Sequence, residues 1–190
     1  MTVIGLIRHG ETMWNQQNRM QGQTDIPLND TGRHQAEQLA RRLQYEQWDA
    51  MISSDLQRAA ETAAIISRLA GIQLLRYEPR LRERFFGRME GTTLEERLRL
   101  WGENWRLADH AAEDEDRLLN RGLGVIGEVA DKLRGKRVLL VTHGGLIRQI
   151  LKATVPDLEI RQIANTSLSL LKVDNGGWSC ELFNCTRHLS

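Results

Sequence analysis

Two histidines stand where an apolar run gives way to glycine. Arg8-His9-Gly10-Glu11-Thr12 follows Val3 to Ile7, and His143-Gly144-Gly145 follows Val138 to Thr142. A third apolar run, Trp48 to Ser53, leads into Ser54-Asp55, with Arg58 one helical turn later. Imidazole and guanidinium groups gathered over helix N-termini, with glycines that let the backbone approach closely, make a site for a tetrahedral dianion. In an open α/β sheet such groups meet beyond the carboxyl ends of the strands, so this chemistry requires the three run ends to be neighbours. His34, His110 and His188 have no such setting and read as structural residues.

The elements that must position these groups follow from periodicity. Val3–Ile7, Trp48–Ser53, Ile72–Tyr77 and Val138–Thr142 are short apolar, strand-like runs. Between them lie helical stripes: Ala36, Leu39, Ala40 and Leu43, with Asp30 or Thr31 as cap, then Leu56, Ala59, Ala60, Ala63, Ile66 and Ala70, with Ser54 or Asp55 as cap. Thr93–Leu107 reads as one helix with Leu94, Leu98, Trp101 and Trp105 on one side, although Gly102 costs about 1 kcal/mol relative to Ala. Arg117–Arg134 reads as a long helix that packs through Leu119, Leu123, Ile126, Ala130 and Leu133, and Leu146–Ala153 as another. Ser167–Val173 and Trp178–Phe183 flank Asp174-Asn175-Gly176-Gly177 and predict a hairpin. The alternation predicts a three-layer α/β/α sandwich in one domain over residues 1–190, its sheet mostly parallel with an antiparallel edge strand.

The chain has 190 residues, 41% of them hydrophobic, which suffices for one packed core. With 26 Lys plus Arg against 25 Asp plus Glu, the net charge of +1 supplies no field that would steer the chain onto nucleic acid or an anionic membrane. Any anion site is therefore a local concentration of positive groups. The acidic run Glu113 to Asp116 suits the positive end of a helix dipole. Cys180 and Cys185 fit neither a disulfide framework nor zinc-ligand spacing, and no apolar run is long enough to span a bilayer. With Arg8 arriving too early for a signal peptide, the expected location is the cytoplasm. The sequence does not specify the oligomeric state.

Arg8-His9-Gly10-Glu11-Thr12 with Trp14-Asn15 resembles the signature of the histidine phosphatase superfamily, in the branch that includes the cofactor-dependent phosphoglycerate mutases. Three further blocks agree in order and spacing: Ser53 to Ala63, then Leu81 to Gly87 with Glu90-Gly91, then Val141 to Gly145. The resemblance implies that His9 is a nucleophile that becomes phosphohistidine, with Arg8, Arg58 and His143 around the phosphoryl oxygens. It implies that Glu83 protonates the leaving alcohol and then takes a proton from water. Asn15, Gln21 and Gly22 match positions that contact the phosphoryl group or substrate, and Gly144 and Gly145 match the loop after the second histidine. Neither a metal nor a cofactor is implied, and the cluster lacks the several carboxylates of a two-metal site. Neutral His9 is favoured by the neighbouring arginines. Arg82 and Arg84 flank Glu83 and would favour its ionised form, so they are expected to face elsewhere in an extended segment while a bound dianion favours the acid.

Hydrolysis and mutation of position share the phosphohistidine and differ in what meets it next. The mutase pattern has polar and basic residues where this chain has Phe85, Phe86, Thr93 and Leu94, and its later paired arginines have no clear counterpart. The segment from Glu83 to His143 is shortened, and Gly144-Gly145 replaces Gly-Asn. These departures point to a phosphatase of small phosphorylated metabolites, with a mutase and a non-catalytic phospho-ligand binder as alternatives. Phe85, Phe86, Met20, Trp101 and Trp105 are candidates for an apolar leaving-group pocket, though core packing explains the tryptophans equally well. Arg97, Arg99 and Arg106 are candidates to catch a carboxylate.

Overall fold

The computed structural model describes residues 1–174 and 177–190. Its strands are β1 (Thr2–Arg8), β2 (Ala50–Ser53), β3 (Leu74–Tyr77), β4 (Arg137–Thr142), β5 (Leu168–Asp174) and β6 (Gly177–Cys185). Its α-helices are α1 (Met13–Gln16), α2 (Asp30–Leu43), α3 (Gln57–Ala70), α4 (Leu94–Trp101), α5 (Glu115–Lys132) and α6 (Gly144–Thr154). The sheet order is β3-β2-β4-β1-β5-β6. β1 to β4 are mutually parallel, β5 is antiparallel to β1, and β6 is antiparallel to β5. The expected hairpin is thus the sheet's edge, and the turn expected through Asn175-Gly176 lies outside the described residues.

Alternation along β1 and β4 divides the core into two. Ile4, Leu6, Val138 and Leu140 pack with Ile126, Val129, Ile147 and Ile150 from α5 and α6. Ile7, Leu139 and Val141 pack with Leu39, Leu43, Ala59 and Ile66 from α2 and α3. This is the three-layer arrangement, in which each fully buried Leu or Ile contributes about 1.5–3 kcal/mol relative to exposure. Late insertion of β4 between β2 and β1 decides the function of the sheet. It brings the carboxyl ends of three strands side by side, with Arg8 opposite Thr142 and Ser53 opposite Val141.

Several local expectations are corrected. Asn29, and not Asp30 or Thr31, caps α2 through Gly32 N–H. The N-cap position of α3 is Leu56, and Asp25 accepts the Gln57 N–H from across a loop in place of Ser54 or Asp55. α4 stops at Trp101 because Gly102 takes a positive φ of 70°, and Trp105–Leu107 forms a separate 3-10 turn. Leu94 and Leu98 are 50% and 41% exposed, while the buried residue of that helix is Arg97. The buried stripe of α5 is Leu118, Gly122, Val125, Ile126 and Val129, mostly one position earlier than expected. Gly122 sets this rotation, since a Cβ there would lie 2.7 Å from Leu146 of α6. Among the described residues, no helix is long and apolar enough to cross a membrane.

Candidate active site

His9 leaves the end of β1 and is buried beside His143, which leaves the end of β4, with ring centroids 5.1 Å apart. His9 Nδ1 lies 2.7 Å from the Gly10 carbonyl, which can only accept, so Nδ1 carries the proton and Nε2 the lone pair. Arg58 Nε donates to that Nε2 at 3.3 Å. The His9 imidazole titrates well below the usual value of 6.5, first because of burial and then because Arg58 and Arg8 stand near. The arginines expected to keep it neutral are therefore the second cause.

Arg58 reaches His9 from the first turn of α3, fully buried, and burial pushes its guanidinium down to about 10. Its other nitrogens hold the loop after α1, donating to the carbonyls of Gly22 (2.7 Å) and Thr24 (3.0 Å). Glu90 grips the same loop from the opposite side, accepting the N–H groups of Gln23 and Thr24, and also that of Phe86. Gly22 has φ 59°, and a Cβ there would collide with Glu90. Arg8 donates through Nη1 to Ile163 O at 2.7 Å, and its buried Nε has no partner among the described residues. His143 Nδ1 is likewise buried and without a partner. These two polar atoms at adjoining strand ends are what an anion would satisfy.

Glu83 arrives on the segment after β3. Its carboxylate accepts from Gly145 N at 2.9 Å and from Arg84 N at 2.8 Å. A Cβ on Gly145 would lie 2.4 Å from Glu83 Oε1, so this glycine is required for the close approach. Both flanking arginines turn away: Arg82 pairs with Asp55 at 2.8 Å, and Arg84 donates to Glu113 O and Glu115. Arg121 of α5 clamps the segment by donating to the carbonyls of Arg80, Arg82 and Glu83 while paired with Glu113. Arg8, Glu83, Gly144, Gly145 and Arg148 line a cleft of about 330 Å³.

Asn15 and Gln21 come from the loop around α1. Asn15 Oδ1 accepts from Thr12 N–H and from Asn165 Nδ2, which also donates to His9 O. The Asn15 amide donor remains for a ligand, and Asn15 lines a second cleft with Arg8. Gln21 Oε1 accepts from Thr12 Oγ1, so its carbonyl end holds the loop. Among the described residues, no group of three or more His, Cys, Asp or Glu is arranged to hold a metal ion.

A strand-end cluster of two neutral imidazoles, the buried Arg58 and half-buried Arg8 guanidiniums and a nearby carboxylate defines a protein that handles phosphoryl groups. Residues 4–186 match the histidine phosphatase superfamily (branch 1), and the chain belongs to that family. It is 34% identical over 193 residues to the uncharacterized phosphatase PhoE of Bacillus subtilis, covering 100% of this chain and 98% of that protein. It is 32% identical over 200 residues to the metal-independent phosphoserine phosphatase of Arabidopsis thaliana, covering 100% of this chain and 84% of that protein. The solved structure of Bacillus stearothermophilus YhfR has the same fold, with a TM-score of 0.89 at 30% identity and full coverage of both chains. Relatives named as probable phosphoglycerate mutases match as well, at 34% identity in Photorhabdus laumondii, covering 94% of this chain and 88% of that protein.

Sequence reasoning gave no site role to Ser54, Glu90, Arg121 or Asn165, whose contacts within the site reach across the chain. Ser54 Oγ lies 2.9 Å from His143 Nε2 and accepts the Leu56 N–H. Its own proton is free for His143 Nε2, which puts the imidazole proton on Nδ1, the tautomer that can donate to an anion. Ser54→Ala is expected to lower kcat/KM about tenfold, with recovery in Ser54→Thr. 15N NMR of labelled histidine then shows mixed tautomers at His143; an unchanged tautomer would remove Ser54 from this positioning role.

Burial also holds His143 well below 6.5 and His188 at about 4. The unfolded chain binds protons at these histidines below about pH 6.5 where the folded chain does not, so stability falls as pH drops through that value. Each strongly shifted histidine contributes up to about 1.4 kcal/mol per pH unit there. Denaturant unfolding between pH 7.5 and 5 should show this slope, and a flat profile would contradict neutral, buried imidazoles.

Proposed function

We propose that the chain hydrolyses small phosphomonoesters without a metal, through a phosphohistidine on His9. The observation that carries this reading is the pair of buried, unpartnered donors, Arg8 Nε and His143 Nδ1, beside a neutral imidazole whose Nε2 lone pair is available. The ester's phosphoryl oxygens take bonds from Arg8, His143 and Arg58, and from the Asn15 amide. Nε2 of His9 attacks phosphorus, the ester P–O bond breaks, and the proton of Glu83 passes to the leaving oxygen to give the alcohol. Water then attacks the phosphohistidine, Glu83 takes its proton, the P–N bond breaks, and inorganic phosphate leaves. Gly145 lets Glu83 approach the phosphoryl group, whereas a Cβ on Gly144 would meet Arg8 at an ordinary 3.4 Å.

Hydrolysis is favoured over transfer because Thr93 and Leu94, at two of the mutase-specific positions, supply no charged grip on a second anionic group. Thr93 caps α4 through Glu96 N, and Leu94 is exposed. A cleft of about 500 Å³ lined by Met20, Phe86, Trp105 and Arg106, among others, is the candidate for an apolar part of the leaving group, and it shares Met20 with the cleft lined by Arg8 and Asn15. Phe85 and Trp101 do not line it. The free cysteines Cys180 and Cys185 suit the reducing cytoplasm. A panel of phosphomonoesters assayed with EDTA, alongside 3-phosphoglycerate isomerisation with 2,3-bisphosphoglycerate, tests the reading. Phosphate release outrunning isomerisation is expected; the reverse would make the chain a mutase.

A further inference from the structure

Buried arginines are ordinarily paired with carboxylates. Two buried arginines here, Arg58 and Arg97, form no ion pair among the described residues, and Arg58 belongs to the phosphoryl site. Arg97 is 7% exposed, and its Nε is buried without a partner. Its Nη1 donates to Thr92 O and Thr92 Oγ1 at 2.7 and 3.1 Å. Its guanidinium sits 4.8 Å from the Trp105 ring centroid, and Arg106, a second cation, sits 4.3 Å from the same centroid. Arg106 and Arg97 repel, which adds to the cost of leaving Arg97 without a counter-ion. The nearby carboxylate, Glu96, is committed to Arg19 at 2.8 Å and to the cap of α4.

Arg97 lines a cleft of about 280 Å³ together with Arg8, Asn15, Arg19, Asn165 and one carboxylate, Glu11, which accepts from Asn29 Nδ2. At about 30 Å³ per water this holds roughly nine waters, enough for a short carbon chain. Arg8 also lines the cleft that contains Glu83 and Gly145, so the two spaces meet at the phosphoryl-binding guanidinium. Packing against Trp105 and the bonds to Thr92 account for one edge of Arg97 and leave Nε unused.

We propose that Arg97 is a specificity-determining residue that binds a second anionic group of the substrate, a carboxylate or a further phosphate, in the cleft it shares with Arg8. The inference rests on the phosphomonoester reading for the class of ligand, but not on turnover. A guanidinium removed from water and free of an internal partner recognises such a group by charge-assisted hydrogen bonds.

Binding to His9→Ala, measured by calorimetry, tests this apart from catalysis. 3-Phosphoglycerate and glycerol 3-phosphate share a skeleton and differ in a carboxylate against a hydroxymethyl group. We expect 3-phosphoglycerate to bind at least about tenfold more tightly, with the preference lost in His9→Ala/Arg97→Gln and partly kept in His9→Ala/Arg97→Lys. Propane-1,3-diol bisphosphate in the same series shows whether a second phosphate is preferred to the carboxylate. Thermal melts establish that each variant is folded, and the Lys variant stands in if the Gln variant is not. Equal binding of all three ligands, no binding of any, or a preference that survives Arg97→Gln overturns the assignment. Phosphatase activity itself is read separately, from turnover of glycerol 3-phosphate by the unmodified protein.

Discussion

His9→Ala is expected to lower kcat/KM for every phosphomonoester by about 10⁴-fold or more, because it removes the bond-forming atom and not a contact. The geometry adds a sharper expectation. Nδ1 is committed to the Gly10 carbonyl, so the phosphoryl group must be carried on Nε2. Alkaline quenching during turnover, under which phosphohistidine survives, should give a phosphopeptide containing His9 with the phosphate on Nε2. Recovery of the Nδ1 isomer would mean that the ring turns over before reaction, and undiminished hydrolysis by His9→Ala would end the nucleophile assignment. Arg58 Nε shares the lone pair of Nε2 only at 3.3 Å, so little is lost when phosphorus takes its place.

The parts of this site that could be read in the sequence are those whose position is local to a strand end. His9 and His143 follow runs that are buried in any α/β sheet, and each run's register fixes the residue after it. Arg58 follows β2 by one helical turn and needs no further information. The supports could not be read this way. Arg121 holds Glu83 from 38 residues away, and Ser54 reaches His143 across 89 residues, so neither role leaves a local pattern. Arg97 was legible as a candidate for a carboxylate, yet its burial was not. Charged residues are placed outward by periodicity, and here Leu94 and Leu98 face outward while Arg97 is the buried residue of α4. The phase of α5 failed for a related reason. Gly122 has no side chain to register as hydrophobic, but its close approach to Leu146 sets which face is buried.

Glu83→Gln separates the two proton transfers, because one depends on the leaving group and the other does not. The amide is nearly isosteric, and with its oxygen toward Gly145 N–H it gives up only the bond from Arg84 N–H, so the segment held by Arg121 should keep its place. For an alkyl phosphate the leaving oxygen needs a proton, and the variant should lose about 10²–10⁴-fold in kcat/KM. For p-nitrophenyl phosphate the phenolate leaves unaided, so phosphorylation of His9 survives while attack of water on the phosphohistidine loses its base. The expected result is a burst of nitrophenol near one equivalent per enzyme, then slow turnover with phosphoenzyme accumulating. The pH profile of kcat/KM for the alkyl ester should lose its basic-side ionisation at the same time. Arg82 and Arg84 do not substitute, since a guanidinium stays protonated through this pH range and theirs are held by Asp55, Glu113 and Glu115. Equal losses on both esters without a burst, or a basic limb that persists, would show that another group carries the proton.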